Sequence, residues 1–252
     1  MPGETEYACQ GRFMIPKIIL TSPLAAGVRT LTRHAGLNRL VSQLMRNRGY
    51  EERFGSELLK WVAAGDCVWD VGANVGFYTM RFAEKVGQGA VVAFEPAGSC
   101  YEELVRRCSG WSQVTPVKAA LGADDGMALM QPGDDPLSTT NRLRTSAEGA
   151  GAGCRMVEVR SAESFVAEHP SLFPNVIKVD VEGHEGAVLD GMRGLLRDTR
   201  LRCVGFEVHF GILQQRGENR RPREIQQEME AQSFRVLWTD MSHIIGVRTD
   251  HW

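Results

Sequence analysis

The chain has 252 residues, of which 43% are hydrophobic and 24% are charged. This length suits one α/β domain with an appendage, and the composition is that of an ordinary globular protein. A formal net charge of −2 argues against non-specific nucleic-acid binding, which relies on a strongly basic surface.

The first segment with a distinct composition is apolar. Residues 13–28, "FMIPKIILTSPLAAGV", are interrupted by Pro16, Lys17 and Pro23. A membrane-spanning helix needs ~20 mostly apolar residues, and a secretory signal starts with cationic residues where this chain has acidic ones. We therefore predict no membrane span. We expect the segment to pack on the domain or on a second subunit of a homodimer, with a membrane-surface role as the alternative.

Helical spacing follows this segment. The stretches "GLNRLVSQLMRNRGY" and "RFGSELLKWVAA" carry apolar residues three and four positions apart, the period of an amphipathic helix. We predict that residues 1–60 form a helical arm and that residues 61–252 form the main domain.

From residue 67 onward, strands and helices alternate. Short apolar runs ending in an acid ("CVWDVG", "AVVAFEP", "NVIKVDVEG" and "RCVGFEVHF") are interleaved with the helical patterns "SCYEELVRRC" and "EGAVLDGMRGLLRD". We interpret "QVTPVKAAL" as a further strand, and "FRVLWTD" and "HIIGVR" as a hairpin around Asp240–Ser242. Such alternation predicts an α/β fold with a mostly parallel sheet covered on both faces.

One segment lacks periodicity. Residues 131–155, "QPGDDPLSTTNRLRTSAEGAGAGCR", are rich in Gly, Ser, Thr, Asp and Pro. Loops this long inside a compact domain are usually functional lids or disordered, and we expect a lid over the acceptor site. Arg142 and Arg144 are expected to be solvated, with contact to an acidic substrate as the alternative.

Six cysteines are scattered along the chain: Cys9, Cys67, Cys100, Cys108, Cys154 and Cys203. No two of them form a C-x-x-C pair, so the spacing fits neither a zinc site nor a disulfide framework. We expect reduced thiols and hence a cytoplasmic location.

A glycine turn joins the first strand to a helix in "VWDVGANVGFYTMRFAEKV". Asp70 closes the strand, and Gly72 and Gly76 bracket the turn. Such a turn lets a ligand approach bare backbone amides at a helix N-terminus. Glu95 lies at the tip of the next strand, where a carboxylate can accept hydrogen bonds from a ribose diol. Together they predict a cofactor site.

Two cofactor classes use this arrangement. The dinucleotide fingerprint requires glycines at positions 72, 74 and 77, but this chain has Asn74 and Phe77. The acid before the first glycine would repel phosphate, whereas an acid and an amide suit the ammonium and carboxylate of S-adenosylmethionine. A nicotinamide-dependent oxidoreductase remains the enzymatic alternative.

Five stretches resemble the FkbM family of S-adenosylmethionine-dependent O-methyltransferases, from about Trp61 to the C-terminus. They are "DVGANVGFYT", "FEPAGSCYEEL", "VKAALG", "IKVDVEGHEGAVLDGM" and "FEVH". The resemblance implies a Rossmann-like class I methyltransferase fold, with a seven-stranded sheet and a C-terminal antiparallel hairpin. It implies methyl transfer to a hydroxyl of a small molecule, a sugar or a polyketide-type secondary metabolite, as in natural product biosynthesis, with S-adenosylhomocysteine as the product. On these motifs we expect cofactor contacts from Asp70, Gly72, Asn74, Gly76, Phe77, Tyr78, Glu95, Pro96, Ala120 and Asp180.

The acceptor hydroxyl must lose a proton, which calls for a base. His184 and His209 are candidates because an unperturbed imidazole titrates near neutral pH, and we slightly prefer His209. Asp180 is expected to hold the hydroxyl or to orient that base. Glu182 could be catalytic or could cap the helix that follows; capping is the favoured role for Glu185.

A metal-assisted mechanism is the alternative. Asp180 and Glu207, at the ends of neighbouring strands, could hold Mg²⁺ through hard oxygen ligands, or Glu207 could bond only to backbone groups. Lys178 is expected to face away along its strand, with an ion-pairing role as the alternative. A methyltransferase fold serving as a non-catalytic binding subunit is the third hypothesis for function.

Overall fold

The structure, a computed structural model, describes residues 50–133, 141–144 and 153–251. Most of the predicted N-terminal arm, including residues 13–28 and any dimer contact made by it, lies outside these ranges. So do residues 134–140 and 145–152 of the predicted lid. No helix among the described residues is both long and apolar enough to cross a membrane.

The described segments form helices and strands in alternation. The helices are α1 (Tyr50–Leu59), α2 (Phe77–Val86), α3 (Gly98–Cys108), α4 (Ala162–Glu168), α5 (Glu185–Asp190), α6 (Arg193–Arg197), α7 (Phe210–Gln215) and α8 (Arg221–Ala231). The strands are β1 (Cys67–Val71), β2 (Ala90–Phe94), β3 (Val114–Val117), β4 (Ala120–Gly122), β5 (Gly126–Gln131), β6 (Arg142–Leu143), β7 (Arg155–Ser161), β8 (Val176–Val179), β9 (Cys203–Glu207), β10 (Phe234–Trp238) and β11 (His243–Arg248). Short 3₁₀ turns cover Pro170–Leu172 and Thr249–His251.

The main sheet has seven strands in the order β10-β11-β9-β8-β1-β2-β3. The five strands from β9 to β3 are parallel, whereas β11 runs antiparallel between β9 and β10. The predicted α/β architecture is thereby confirmed, including the hairpin around Asp240–Ser242. The strand order reverses between β1 and β8, and in open α/β sheets ligands bind at such a point, outside the carboxyl ends of the strands.

Both faces of the sheet are covered by helices. Along β1, Val68 packs with Phe54 and Phe82 of α1 and α2, while Trp69 packs on the opposite face with Phe165 of α4. Because side chains alternate across a strand, strands buried on both faces consist of continuous apolar runs. Phe54 makes α1 part of this core; the predicted division of the chain at residue 60 stays a prediction.

A second sheet of four strands, in the order β4-β7-β5-β6, follows β3 in the chain. Two sequence expectations were wrong here. "QVTPVKAAL" is not one strand, since β3 belongs to the main sheet and β4 to the second one. Residues 131–155 are not wholly loop, because β6 pairs with β5 through Met130 and Leu143. A strand of two residues exists only through this pairing and has no periodicity that could be detected.

Candidate active site

A pocket opens at the switch point between β1 and β8. It lies where the parallel strands end, as the sequence predicts, and it is also bordered by the second sheet. Its lining residues are Val71, Gly72, Asn74, Phe94, Glu95, Pro96, Ala120, Leu121, Met130, Asn141, Leu143, Asp180, Val181, Glu182 and His184.

Gly72 follows β1 and lies against the backbone of Asp180, which follows β8. Its φ is +74°, and a Cβ at this position would overlap the carbonyl oxygen of Asp180. Only glycine combines a left-handed conformation with this approach at little cost. The turn therefore brings bare backbone against Asp180, which faces the same pocket.

Glu95, which follows β2, is a pocket carboxylate that contacts the glycine turn. It is 6% exposed, and its two oxygens accept hydrogen bonds from the N–H groups of Asn74 and Ala97, each at 2.8 Å. Burial raises the pKa of Glu95 and these backbone donors oppose the rise. A carboxylate has about four lone-pair sites, so two remain for a ligand.

Asn74 supplies a second group suited to a ligand. Its side-chain oxygen is buried and has no hydrogen-bond partner among the described residues, although the residue lines the pocket. Buried amide oxygens normally have partners, so a donor such as an ammonium group would complete this one. The turn and Glu95 together thus fit the two polar ends of S-adenosylmethionine.

Asp70, expected to contact the cofactor, does not line the pocket. It is fully buried; its Oδ2 accepts a hydrogen bond from Thr79 Oγ1 at 2.7 Å, and its Oδ1 lies 3.1 Å from Lys178 Nζ. The Asp70 carboxylate therefore stabilises the glycine turn through Lys178, which also donates to the carbonyl of Gly72.

Three further residues expected to touch the cofactor also lie outside the pocket lining. Gly76 faces α3, where an added Cβ would come within 2.8 Å of Leu104 Cδ1. Phe77 is 54% exposed, and the ring of Tyr78 lies against Lys178 Nζ at 5.2 Å. The helix begins at Phe77, and its first turn faces away from the pocket. Gly72, Asn74, Glu95, Pro96, Ala120 and Asp180 do line it.

Lys178 has the ion-pairing role that the sequence analysis gave as the alternative to facing away. It is 2% exposed, and its ammonium donates to the carbonyl of Gly72 at 3.0 Å and lies 3.6 Å from Asp180 Oδ2. Burial disfavours this charge, but Asp70 and Asp180 outweigh burial and raise the pKa of Lys178. The lysine inside an apolar strand of the sequence already indicated an ion pair, since buried lysines are almost always paired.

His209 precedes α7 and stands among carboxylates. Its Nε2 lies 3.4 Å from Glu182 Oε2, 3.8 Å from Asp180 Oδ1 and 3.9 Å from Glu207 Oε1. Its Nδ1 is 2.6 Å from Glu185 Oε1. Burial opposes the imidazolium, but the hydrogen bonds that it donates to Glu182 and Glu185 raise the pKa of His209 well above its usual value. His209 does not line the pocket, whereas Asp180 and Glu182 do.

His184 lines the pocket but is a weak base. Burial and the charge of Arg216 lower the pKa of His184 to about 4. Arg216 donates to the carbonyls of Gly183 at 2.7 Å and Leu143 at 2.5 Å. It thereby joins the acid-rich turn after β8 to the second sheet.

Asp180 has the pKa best matched to neutral pH. Burial and the charge of Glu207 raise the pKa of Asp180 to about 7, against the lowering effect of Lys178 and His209. For Glu207, burial is outweighed by the hydrogen bond with His243 and by nearby cations, so its pKa is lowered.

The described residues bring one set of potential metal ligands together. Atoms of Asp180, Glu182 and His209 all lie within 4.8 Å of one another. The expected pair was Asp180 and Glu207, but Glu207 Oε2 faces His243 Nε2 at 3.4 Å.

The comparisons with known proteins identify methyltransferases as relatives. The Methyltransferase FkbM domain matches residues 70–236. Hexuronic acid methyltransferase AglP of Haloferax volcanii is 31% identical over 158 residues, 62% of this chain and 61% of that protein. Methyltransferase 1 of Beauveria bassiana is 29% identical over 141 residues, 49% of this chain and 57% of that protein. The chain thus spans about three fifths of the length of these curated relatives.

Among solved structures, Aeropyrum pernix fibrillarin in complex with S-adenosyl-L-methionine covers 74% of this chain and 67% of its own, with 12% identity and a TM-score of 0.44. The matched domain, residues 70–236, takes up more than half of the chain and includes the pocket carboxylates Glu95 and Asp180. The chain therefore belongs to the FkbM methyltransferase family.

Proposed function

We propose that this protein is an S-adenosylmethionine-dependent O-methyltransferase acting on a hydroxyl of a small molecule. The observation that carries the proposal is one pocket bordered by carboxylates from two strand ends. Glu95 follows β2 and Asp180 follows β8, and β1, with the glycine turn after it, lies between these two strands. When bound, S-adenosylmethionine supplies a methyl group on a positively charged sulfur, which an oxygen nucleophile can displace.

Several residues would hold the cofactor. Glu95 would accept hydrogen bonds from the ribose hydroxyls, and the amide oxygen of Asn74 would accept from the ammonium. Pro96, Ala120 and Leu121 give the same part of the pocket an apolar wall, which suits the adenine ring.

We assign proton removal to Asp180. It faces the pocket, and its pKa of about 7 is close to the value that favours a general base at neutral pH. His209, the base favoured from sequence, stands behind it and carries a proton at neutral pH because its pKa is well raised. In this proposal the imidazolium is the counter-ion of the base.

A sugar hydroxyl is the favoured acceptor. Carboxylates such as Asp180 and Glu182 accept hydrogen bonds from sugar hydroxyls, and the AglP relative is named a hexuronic acid methyltransferase. A polyketide-type metabolite is the second acceptor class.

The nicotinamide alternative is disfavoured because Asn74 and Phe77 stand in place of glycines. A non-catalytic role is disfavoured because the pKa of Asp180 is raised to about 7. The scattered spacing of the six cysteines, without a C-x-x-C pair, supports a cytoplasmic location.

The test is calorimetry with S-adenosylhomocysteine on the parent and the Glu95→Ala variant. Loss of a charged hydrogen-bond acceptor typically costs about 1.5 to 3 kcal/mol, so we expect binding to weaken about 10- to 150-fold. Glu102→Ala, which removes an exposed acid of α3, is the matched control. Equal affinity in the Glu95 variant would remove this residue from the site. Binding of NADH in place of S-adenosylhomocysteine would overturn the function.

A second experiment tests the acceptor. Transfer of a tritiated methyl group from S-adenosylmethionine would be measured with methyl glycosides of neutral hexoses and of hexuronic acids. Alkali-stable product from a hydroxyl acceptor supports O-methyl ether formation. Product that alkali hydrolyses, formed only from the uronic acids, would instead reveal methylation of a carboxylate.

A further inference from the structure

The second sheet covers the part of the pocket that suits an adenine ring. Met130 of β5 and Leu143 of β6 are buried in one apolar cluster with Ala97, which follows Pro96, and with Ala120 of β4. Pro96 and Ala120 belong to the apolar wall of the proposed cofactor site, and Met130 and Leu143 line the same pocket. The strands β5 and β6 therefore extend that wall.

Asn141 is the polar member of this wall. The pocket-lining residues between β4 and β6 are Ala120, Leu121, Met130, Asn141 and Leu143, and of these described residues Asn141 alone has a polar side chain. It directly precedes β6 and is half-buried. A carboxamide in an apolar wall costs free energy unless its donors and acceptors have partners.

The orientation of the Asn141 carboxamide is fixed by Gly133. Its Oδ1 accepts the backbone N–H of Gly133 at 2.8 Å, and because that N–H can only donate, the oxygen and not the nitrogen must face it. The Nδ2 lies 3.9 Å from Cys100 Sγ, which is a weak acceptor. Within the described part of the chain the side chain makes these two hydrogen bonds. One N–H of Nδ2 and one lone pair of Oδ1 remain for a ligand.

We propose that Asn141 recognises the adenine base of the methyl donor: Nδ2 donates to a ring nitrogen, and Oδ1 accepts from the 6-amino group. Adenine presents this acceptor and donor side by side, and asparagine pairs with the same edge of adenine in DNA recognition. The inference rests on the proposed function. It adds a specificity-determining residue from the second sheet to the contacts made by the glycine turn and Glu95.

The bond to Gly133 makes Asn141 selective. A 6-oxo base presents an acceptor where adenine presents its amino group, and a carboxamide that could rotate freely would turn over to match it. In Asn141 that rotation would bring Nδ2 against the N–H of Gly133, which would leave two donors facing each other without an acceptor. Asn141 therefore favours a 6-amino base over a 6-oxo base.

The test is calorimetry with two ligands, S-adenosylhomocysteine and S-inosylhomocysteine, which has a 6-oxo group in place of the 6-amino group. We expect the parent to bind S-adenosylhomocysteine about 5- to 150-fold more tightly, the discrimination typical of a bidentate pair with a base. In Asn141→Ala this preference should be largely lost. Asn219→Ala, which removes an exposed carboxamide before α8, is the control and should keep the preference of the parent.

A second control separates recognition from support of the wall, because Asn141→Ala also removes the bond to Gly133. Leu143→Ala loosens the same wall by removing apolar contacts. It should weaken the binding of both ligands alike and leave the preference for S-adenosylhomocysteine intact. If Asn141→Ala behaves in the same way as Leu143→Ala, Asn141 has a structural role only and the inference is overturned.

The parent protein alone can also decide the matter, so the inference stays testable even if a variant does not fold. Equal affinity of the parent for the two ligands would overturn the inference and leave the proposed function standing. A parent that binds neither ligand would overturn the proposed function, and the inference with it.

Discussion

At the scale of single residues, the ionisable groups of the site differ in pKa because their environments differ. Asp180 borders Glu207 and has its pKa raised, whereas Glu207 is held ionised by His243 and His209. Two neighbouring carboxylates with pKa values pushed apart are a common way to obtain a base near neutral pH. Asp180, whose pKa is close to neutral pH, is also the one of the two carboxylates that lines the pocket.

Asp180→Asn should therefore lower methyl transfer about 10²- to 10⁴-fold, the usual worth of a general base. Parent activity should rise with pH through about 7, because the ionised form of Asp180 accepts the proton. His209→Gln should move this rise to higher pH, since Asp180 loses a neighbouring cation. The measurement is initial rate against pH from 5.5 to 9.5 with an acceptor from the glycoside screen. Asp124→Asn, an exposed acid, is the control. If His209→Gln lowers the rate equally at all pH values, the general base would be His209 and not Asp180.

The residue types of this site could be predicted from the sequence alone, but their contacts could not. Glu95, Asp180 and the glycine turn follow from strand ends and spacing. The pairing of Glu185 with His209 does not, because it joins residues 24 positions apart through the packing of α5 against the loop before α7. The pKa of His209 depends on that pairing, so the favoured base could not be identified before the contacts were known.

At the scale of elements, β1 and β8 are joined by more than backbone hydrogen bonds. Asp70 and Lys178 are register partners in the two strands, and Lys178 also donates to the carbonyl of Gly72. The same ammonium therefore stabilises the turn on the cofactor side and borders Asp180 on the acceptor side. Register could not be assigned from the sequence, and for this reason Lys178 was expected to face away.

Replacing Lys178 with Met should destabilise the protein by about 3 to 5 kcal/mol, the usual cost of leaving one partner of a buried ion pair without the other. The unpaired group would be Asp70, which retains only Thr79. Urea unfolding followed by circular dichroism measures the change. Lys60→Met removes an exposed pair with Glu57 and should change little. Equal stability of the two variants would mean that Asp70 is protonated in the folded protein.

At the scale of the whole molecule, the antiparallel hairpin completes the site. Because β11 lies between β9 and β10, its first residue, His243, is the register partner of Glu207. His243 also pairs with Asp240 at 2.8 Å and stacks on Phe54 of α1. The hairpin was predicted, but its effect on Glu207 required the strand order.

This arrangement predicts how stability depends on pH. Burial opposes the charge on His243, but Asp240 and Glu207 raise its pKa to about 9, above the usual value of about 6.5. Its contribution is therefore complete below pH 6.5 and is lost as the pH rises through about 9. The difference in unfolding free energy between the parent and His243→Gln should shrink by about 2 to 3 kcal/mol from pH 6 to pH 10. Thermal and urea unfolding at both pH values measure it, with exposed His251→Gln as control. A constant difference would mean that His243 contributes packing alone.

The segment that forms most of the second sheet begins and ends at adjacent points of the fold, since Gly122 of β4 is the register partner of Ser161 of β7. The excursion between them carries Met130, Asn141 and Leu143 into the pocket wall, while Glu95, Asp180 and every strand of the seven-stranded sheet lie outside it. Residues 123–160 can thus be regarded as an exchangeable cassette. Grafting the corresponding segment of another family member would replace the part of that wall that packs against Ala97 and Ala120 without cutting any strand of the seven-stranded sheet.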